Sequence, residues 1–286
     1  MLLLPVLATA AIAAGPPALE RMPLFTPAEL KAWSTAESTV AVSTDRTHDG
    51  APTLHWHVTV DYQTGEPKYP IGWPRVSRGI PAGPLRDWTK WDYLHAWVFV
   101  ASSRDKLPAI PAGLGLHTPD RAGAFQRTLT ELRVGQWVEL KLPITQIPRA
   151  HDVRQIQFHI AEQNYRDGDQ LDFQVSDFAL VRYAAPTILD FAPESAVLYA
   201  DAAQIPLRLH LAGVPEGAAT ALACELHREA RKVAAATLRG TRGSQIVALP
   251  LDRHRLAPGE YELRAVVGGG TSTATARVRL VSTPWK

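Results

Sequence analysis

Short segments between Thr53 and Tyr183 keep apolar side chains on one residue parity and polar side chains on the other. In 53–61 the apolar parity is Leu54, Trp56, Val58 and Val60, opposite His55, His57 and Asp61. In 93–100 it is Leu94, Ala96, Val98 and Val100, opposite His95, Trp97 and Phe99. In 155–161 it is Ile156, Phe158 and Ile160, opposite Gln157 and His159. Side chains alternate across a strand, so a period of two gives each segment one face to bury and one to present. That pattern commits the chain to β-structure.

Strands are expected near 38–43, 53–61, 93–101, 124–130, 137–142, 153–161 and 170–183. Gly, Pro and Asp clusters separate them, as in a sandwich of short strands. Asp49-Gly50, Val134-Gly135-Gln136 and Asp167-Gly168-Asp169 supply the turns, the last with a glycine suited to a left-handed corner. Thr26-Pro27-Ala28-Glu29 reads as a capping box opening a short helix to about Trp33. The prolines of Gln63–Asp92 confine that segment to extended or turn backbone without a clear strand, and its aromatic residues argue for order.

Beyond Ala184-Ala185-Pro186 the composition shifts, with seven of the eight tryptophans lying in Trp33–Trp137 and only Trp285 after the boundary. Alternation continues through Ile205, Leu207, Leu209 and Leu211; Leu222, Cys224 and Leu226; and Ile246, Ala248 and Pro250. It resumes in Tyr261, Leu263, Ala265 and Val267, and in Ala276, Val278 and Leu280. A helix over Glu225–Ala236 scores as well as a strand pair, and periodicity leaves both open. The expected fold is all-β: a signal peptide over 1–14, a β-sandwich over 20–184 and an immunoglobulin-like sandwich over 187–283.

Met1–Gly15 is apolar, ends in small residues and contains Ala11-Ile12-Ala13, a cleavage-like site in a stretch too short for a bilayer span. Its length and composition predict export, to the periplasm or outside a bacterial cell. A single cysteine, Cys224, excludes an internal disulfide framework, and its parity with Leu222 and Leu226 predicts a buried thiol. The only asparagine, Asn164, lies outside any glycosylation sequon. A net charge of +2 with dispersed arginines excludes the electrostatic footprint of a nucleic-acid binder.

Three stretches carry a family resemblance: Asp87-Trp88-Thr89-Lys90-Trp91-Asp92-Tyr93-Leu94-His95-Ala96-Trp97-Val98, Gly135-Gln136-Trp137-Val138-Glu139-Leu140, and Gln157-Phe158-His159-Ile160-Ala161-Glu162. Asp172-Phe173-Gln174-Val175-Ser176-Asp177 completes the set. With these, residues 33–183 resemble the galactose-binding-domain-like, jelly-roll carbohydrate-binding modules. Residues 187–286 look like the immunoglobulin-like spacers that follow such modules in secreted polysaccharide-degrading enzymes. In those enzymes a catalytic domain follows; this sequence runs to Lys286, and the expectation is a non-catalytic glycan binder. Two alternatives stand beside it: an accessory region or degenerate relative of a glycoside hydrolase or polysaccharide lyase, with a catalytic partner, and a structural envelope module that docks proteins.

The expected ligand site is a sheet face carrying His55, His57, His95, Trp97, Gln157 and His159, with Trp73 from the aromatic loop. Imidazoles and amides hydrogen-bond sugar hydroxyls, and an indole stacks on the apolar face of a sugar ring. The competing expectation is an ordinary solvated face with Trp97 covered by Gln63–Asp92. Tyr69 belongs to the same aromatic loop, whereas Trp88 and Trp91 are expected to plug the core. His55-x-His57 also has metal-ligand character, with His95 or His159 as a third ligand. The resemblance implies a structural calcium, for which Asp45, Asp49 and Asp177 are the candidate ligands. No cofactor is expected. A glycosidase carboxylate pair could be drawn from Glu162, Asp167, Asp169 and Asp172, but these cluster around an expected hairpin turn and read as turn residues.

Overall fold

The computed structural model describes residues 17–64, 71–119, 125–251 and 256–284. The apolar segment 1–14, expected to act in export, lies outside the described residues, as do Tyr69 and Trp285. The strands are β1 (Leu19–Pro23), β2 (Trp33–Ala36), β3 (Thr39–Ser43), β4 (Thr53–Thr59), β5 (Arg75–Gly79) and β6 (Tyr93–Ser102). They continue with β7 (Gly113–His117), β8 (Phe125–Thr128), β9 (Trp137–Pro143), β10 (Gln155–His159) and β11 (Gln170–Tyr183). After these come β12 (Thr187–Pro193), β13 (Val197–Tyr199), β14 (Gln204–Ala212) and β15 (Ala219–Arg228). The last are β16 (Arg231–Thr241), β17 (Gly243–Pro250), β18 (Gly259–Val267) and β19 (Ser272–Val281). The chain is all-β. Among the described residues no helix is long and apolar enough to cross a membrane.

Chain packing separates the unit Glu20–Arg182 from a second unit that begins at Tyr183. In the first, β3-β4-β11-β6-β9 form one antiparallel sheet, with β1 also paired to β11. The order β2-β5-β10-β7-β8 forms the second antiparallel sheet. Strands neighbouring in sequence are shared between the two sheets, which is the arrangement of a jelly-roll sandwich. The apolar parities named above are the core: Leu54, Trp56, Val58, Leu94, Ala96, Val98, Val100, Ile156 and Phe158 are all buried. Trp56 stacks on Phe173 with ring centroids 4.7 Å apart, and Trp88 and Trp91 are buried with them.

Three elements differ from expectation. The capping box opens a 3-10 turn, Pro27–Ala32, in which the Thr26 hydroxyl donates to Glu29 Oε2 at 2.9 Å and leaves the backbone uncapped. Gln63–Asp92 contains β5, an interior strand flanked by β2 and β10. Its sequence, Arg-Val-Ser-Arg-Gly, lacks the apolar alternation that marks a strand because Arg78 occupies an inward position, where its guanidinium reaches Glu29 Oε1 at 2.8 Å. In β7 the pattern Gly-Leu-Gly-Leu turns both leucines inward and both glycines outward.

In the second unit, β12-β14-β17 form a three-stranded sheet and β13-β19-β18-β15-β16 a five-stranded one, with β13 parallel to β19. Ile205, Leu207, Leu209, Leu211, Leu222, Leu226, Leu263 and Leu280 fill its core, and Cys224 is buried among them. The burial pushes the Cys224 thiol up to about 11. The helix alternative over Glu225–Ala236 gives way to a hairpin, β15 to β16, turned by Glu229 and Ala230 at φ of 49° and 65°. No glycine marks that turn, which is why the segment imitates a helix. In β17 the parity is the reverse of the one expected. Leu249 and Val247 pair with Ile205 and Leu207 of β14, and Ile246 faces out. A one-residue change of parity moves a whole strand face.

Trp56 is the test of the first core. Trp56→Ala is expected to lower the unfolding free energy by about 3–5 kcal/mol, measured by chemical denaturation followed by circular dichroism.

Candidate functional site

Each sheet of the first unit has its own outer face, and the seven expected ligand residues divide between them. His55 and His57 of β4 and His95 and Trp97 of β6 lie on the β3-β4-β11-β6-β9 sheet. Gln157 and His159 of β10 lie on the other sheet, and Trp73 precedes β5 there. The expectation of one shared face is therefore corrected. Alternation reports whether a side chain points out of the sandwich, and does not report from which sheet.

The first face is closed over Trp97. The loop between β3 and β4 folds back across it, so that His48 stacks on the Trp97 indole at 3.9 Å and 13°. His48 also meets Trp137 edge-on at 5.5 Å, and Arg46 places its guanidinium 4.2 Å from the Phe99 ring centroid. Trp97 is thus covered by the loop between β3 and β4. His95 is only 6% exposed. Its Nε2 lies 3.2 Å from Glu139 Oε1 and its Nδ1 3.1 Å from Asp177 Oδ2. Arg21 reaches the same Asp177 oxygen. Burial drives the His95 value down, but hydrogen bonding and charge from Asp177 outweigh it and the net shift is upward. For Asp177 burial acts upward, and hydrogen bonding from His95 with the Arg21 charge brings the carboxyl below its usual range.

Asp177 is thereby spent on a cation and an imidazole, and the three expected calcium ligands do not converge. Asp49 Oδ1 accepts the Ala51 N–H at 3.1 Å, and Asp45 is exposed with its N–H on Ser43 Oγ. Among the described residues the only convergent metal-type donor group is His55, His57 and Asp172. The third member is a carboxylate, not the expected His95 or His159.

The second face is built differently. Antiparallel register sets Gln157 between Ser77 and Gly115, and His159 between Arg75 and Gly113. The two glycines let neighbouring side chains lie flat on the sheet. A Cβ on Gly113 would sit 2.3 Å from His159 Nε2, and one on Gly115 2.9 Å from the Gln126 amide nitrogen. Trp73 is 49% exposed, and its ring centroid is 4.9 Å from that of His159. Around it Glu37, Ile71, Gly72, Trp73, Arg75, Ala161 and Gln163 line a pocket of about 450 Å³, within the range of small-ligand sites.

Two carboxylates fix the backbone that carries Trp73. Glu37 Oε2 accepts the Trp73 N–H and Glu162 Oε2 accepts the Gly72 N–H, each at 2.7 Å. Glu162 is 2% exposed, and its other oxygen accepts the Asp61 N–H at 3.0 Å. Burial, and then the positive field of His117, pull His159 down to about 4, so its imidazole is neutral at neutral pH. The other acidic residues near the β10–β11 connection are similarly engaged. Asp167 accepts the Tyr62 N–H, and Asp169 accepts the Arg166 N–H. Asp172 lies within β11 and not in a turn, across from His57.

Sequence reasoning missed Arg75, Ser77, Gln126, Glu37 and the two glycines. The alternation Gly113-Leu114-Gly115-Leu116 was the available signal for a strand beside β10.

No protein-family model matches the chain, and no curated protein matches it. Similar solved structures include an exo-beta-agarase, at 9% identity and a TM-score of 0.37, over 53% of this chain and 23% of that one. An arabinose-bound α-L-arabinofuranosidase is similar at 21% identity and a TM-score of 0.32, over 55% of this chain and 24% of that one. The Caldicellulosiruptor saccharolyticus CBM27-1 in complex with mannohexaose is similar at 15% identity and a TM-score of 0.33. That match covers 51% of this chain and 89% of that one. The chain thus spans about a quarter of each of the two enzymes.

The His95–Asp177 pair gives a pH signature. With its value raised above 6.5 on folding, protonated His95 contributes stability that is complete below that pH and is lost as pH rises through the raised value. The melting-temperature difference between the wild type and His95→Gln should therefore be largest below pH 6.5 and shrink as pH rises through the raised His95 value. His159 acts in the opposite sense, losing stability as pH falls from 6.5 towards about 4, and it is common to both proteins.

Proposed function

We propose that this chain is a non-catalytic carbohydrate-binding protein whose sugar site is the outer face of the β2-β5-β10-β7-β8 sheet. The observation that carries the reading is the half-exposed indole of Trp73, held by two carboxylate–backbone contacts beside His159. A sugar ring stacks its C–H face on an indole, and its hydroxyls need neutral donors and acceptors arranged around it. Gln157, Gln126 and the neutral His159 imidazole meet that need, and Arg75 adds a cationic donor. The family resemblance of residues 33–183 supports the same ligand class.

Binding without cleavage is supported by the fate of the carboxylates. Glu37, Glu162, Asp167 and Asp169 each accept backbone N–H bonds. The two sheets of the second unit support a spacer of immunoglobulin-like type, and the apolar start of the chain supports export. A glycan binder of this kind works alone or beside a catalytic partner. An open, shallow site of one indole and a few hydrogen bonds implies a dissociation constant of roughly micromolar to millimolar, about −8 to −4 kcal/mol.

Affinity electrophoresis against a panel of soluble plant, algal and bacterial polysaccharides, followed by calorimetry on the best ligand, tests this. Trp73→Ala is expected to weaken binding about tenfold or more, roughly 1.4 kcal/mol, while Trp97→Ala leaves it unchanged. Gly113→Ala is expected to weaken binding without touching the sugar, because its new methyl displaces the His159 ring. Retention on a polysaccharide that Trp73→Ala does not reduce would move the site off this face.

A further inference from the structure

On the opposite face of the same sandwich, His55 and His57 stand two residues apart on β4, and Asp172 of β11 pairs directly with His57. His55 Nε2 is 2.7 Å, and His57 Nδ1 2.8 Å, from one and the same oxygen, Asp172 Oδ1. The three donor atoms lie within 4.8 Å of one another, on side chains that are 28%, 34% and 41% exposed. The trio is therefore convergent and still reachable from solvent. Both strands sit inside their sheet, β4 between β3 and β11, and β11 between β4 and β6, so paired backbone fixes the Cα positions on either side.

We infer that His55, His57 and Asp172 form a binding site for a divalent ion of the zinc class, with a fourth position open to solvent. Two imidazole nitrogens and one carboxylate oxygen form a donor set that suits zinc, nickel or copper and disfavours calcium and magnesium, which take oxygen ligands. Bonds of about 2.0–2.2 Å in a tetrahedral arrangement separate ligand atoms by roughly 3.3 Å. The present 2.7 and 2.8 Å contacts need to open by about half an ångström, a motion that side-chain rotation supplies.

Without an ion, imidazole N–H groups directed at Asp172 Oδ1 hold the trio together. Binding puts the lone pairs of those same nitrogens on the metal, so each neutral ring carries its proton on the other nitrogen. For His57 that nitrogen is Nε2, which lies 3.3 Å from the Thr59 hydroxyl, an oxygen able to accept the relocated N–H. An acceptor behind a ligating imidazole fixes its tautomer and strengthens it as a ligand. Neither Trp73 nor His159 takes part, so this inference stands or falls apart from the sugar site.

Calorimetric titration of the tag-free, full-length chain with zinc chloride at pH 7.5 in a non-chelating buffer tests it, with calcium chloride in parallel. The expected result is saturable one-to-one binding of zinc and none of calcium. His57→Gln and Asp172→Asn should each weaken zinc binding by about tenfold or more, whereas His95→Gln should not. Cobalt(II) added to isotope-labelled wild-type protein should broaden amide resonances of β4 and β11 first, a readout independent of any variant's folding. No saturable zinc binding, or broadening centred on other histidines, would overturn the assignment. So would affinity that His57→Gln and Asp172→Asn leave unchanged.

Discussion

A strand in a two-sheet sandwich has one face to bury, and everything else in the first unit follows from how that burial is shared. The apolar parities of β4, β6, β10 and β11 meet in one core, centred on the Trp56–Phe173 stack. The polar parities are thereby expelled to two surfaces that never meet. This partition explains why residues of similar chemistry end in different roles. Histidines on β4 and β6 turn to carboxylates across their own sheet, while the histidine on β10 lies over a glycine beside an open indole.

The core was legible because burial imposes a period that any reader of the chain can count. Every inward residue of β4 and β6 named from alternation is buried, as are those of β10. What stayed hidden depended on pairing between segments distant in sequence. Asp172 reads as one acid in a cluster near a turn, and only the antiparallel register of β11 with β4 sets it under two imidazoles. His48 is an unremarkable loop residue until the chain doubles back and lays its ring on Trp97. β5 was invisible for a local reason: an inward arginine, neutralised by Glu29 from a neighbouring turn, stands where the pattern asks for an apolar side chain. In β17 two adjacent parities are both apolar, and the choice fell to its partner β14.

The two outer faces use complementary means of holding their side chains. Over Trp97 and Phe99 the structure adds material: an imidazole on the first, a guanidinium on the second, and beside them a network of His95, Asp177, Arg21 and Glu139. Over β7 it removes material, and Gly113 and Gly115 lower the sheet so that His159 and Gln126 lie down upon it. Glu162 then does for Trp73 what the strands do for the other residues. Its two oxygens tie the chain at Asp61 to the chain at Gly72, with tight hydrogen bonds in a nearly water-free setting. A side chain so anchored has little freedom left to lose when it meets a partner.

The burial of the other rings has an optical consequence. Among the described tryptophans Trp33, Trp56, Trp88 and Trp91 are buried, Trp97 and Trp137 are half-buried, and Trp73 alone is exposed. Its emission lies furthest to the red and is the most open to an aqueous quencher such as acrylamide or iodide. The chain therefore carries an intrinsic fluorophore at the proposed sugar site, and shielding from collisional quenching reports on that site without any label.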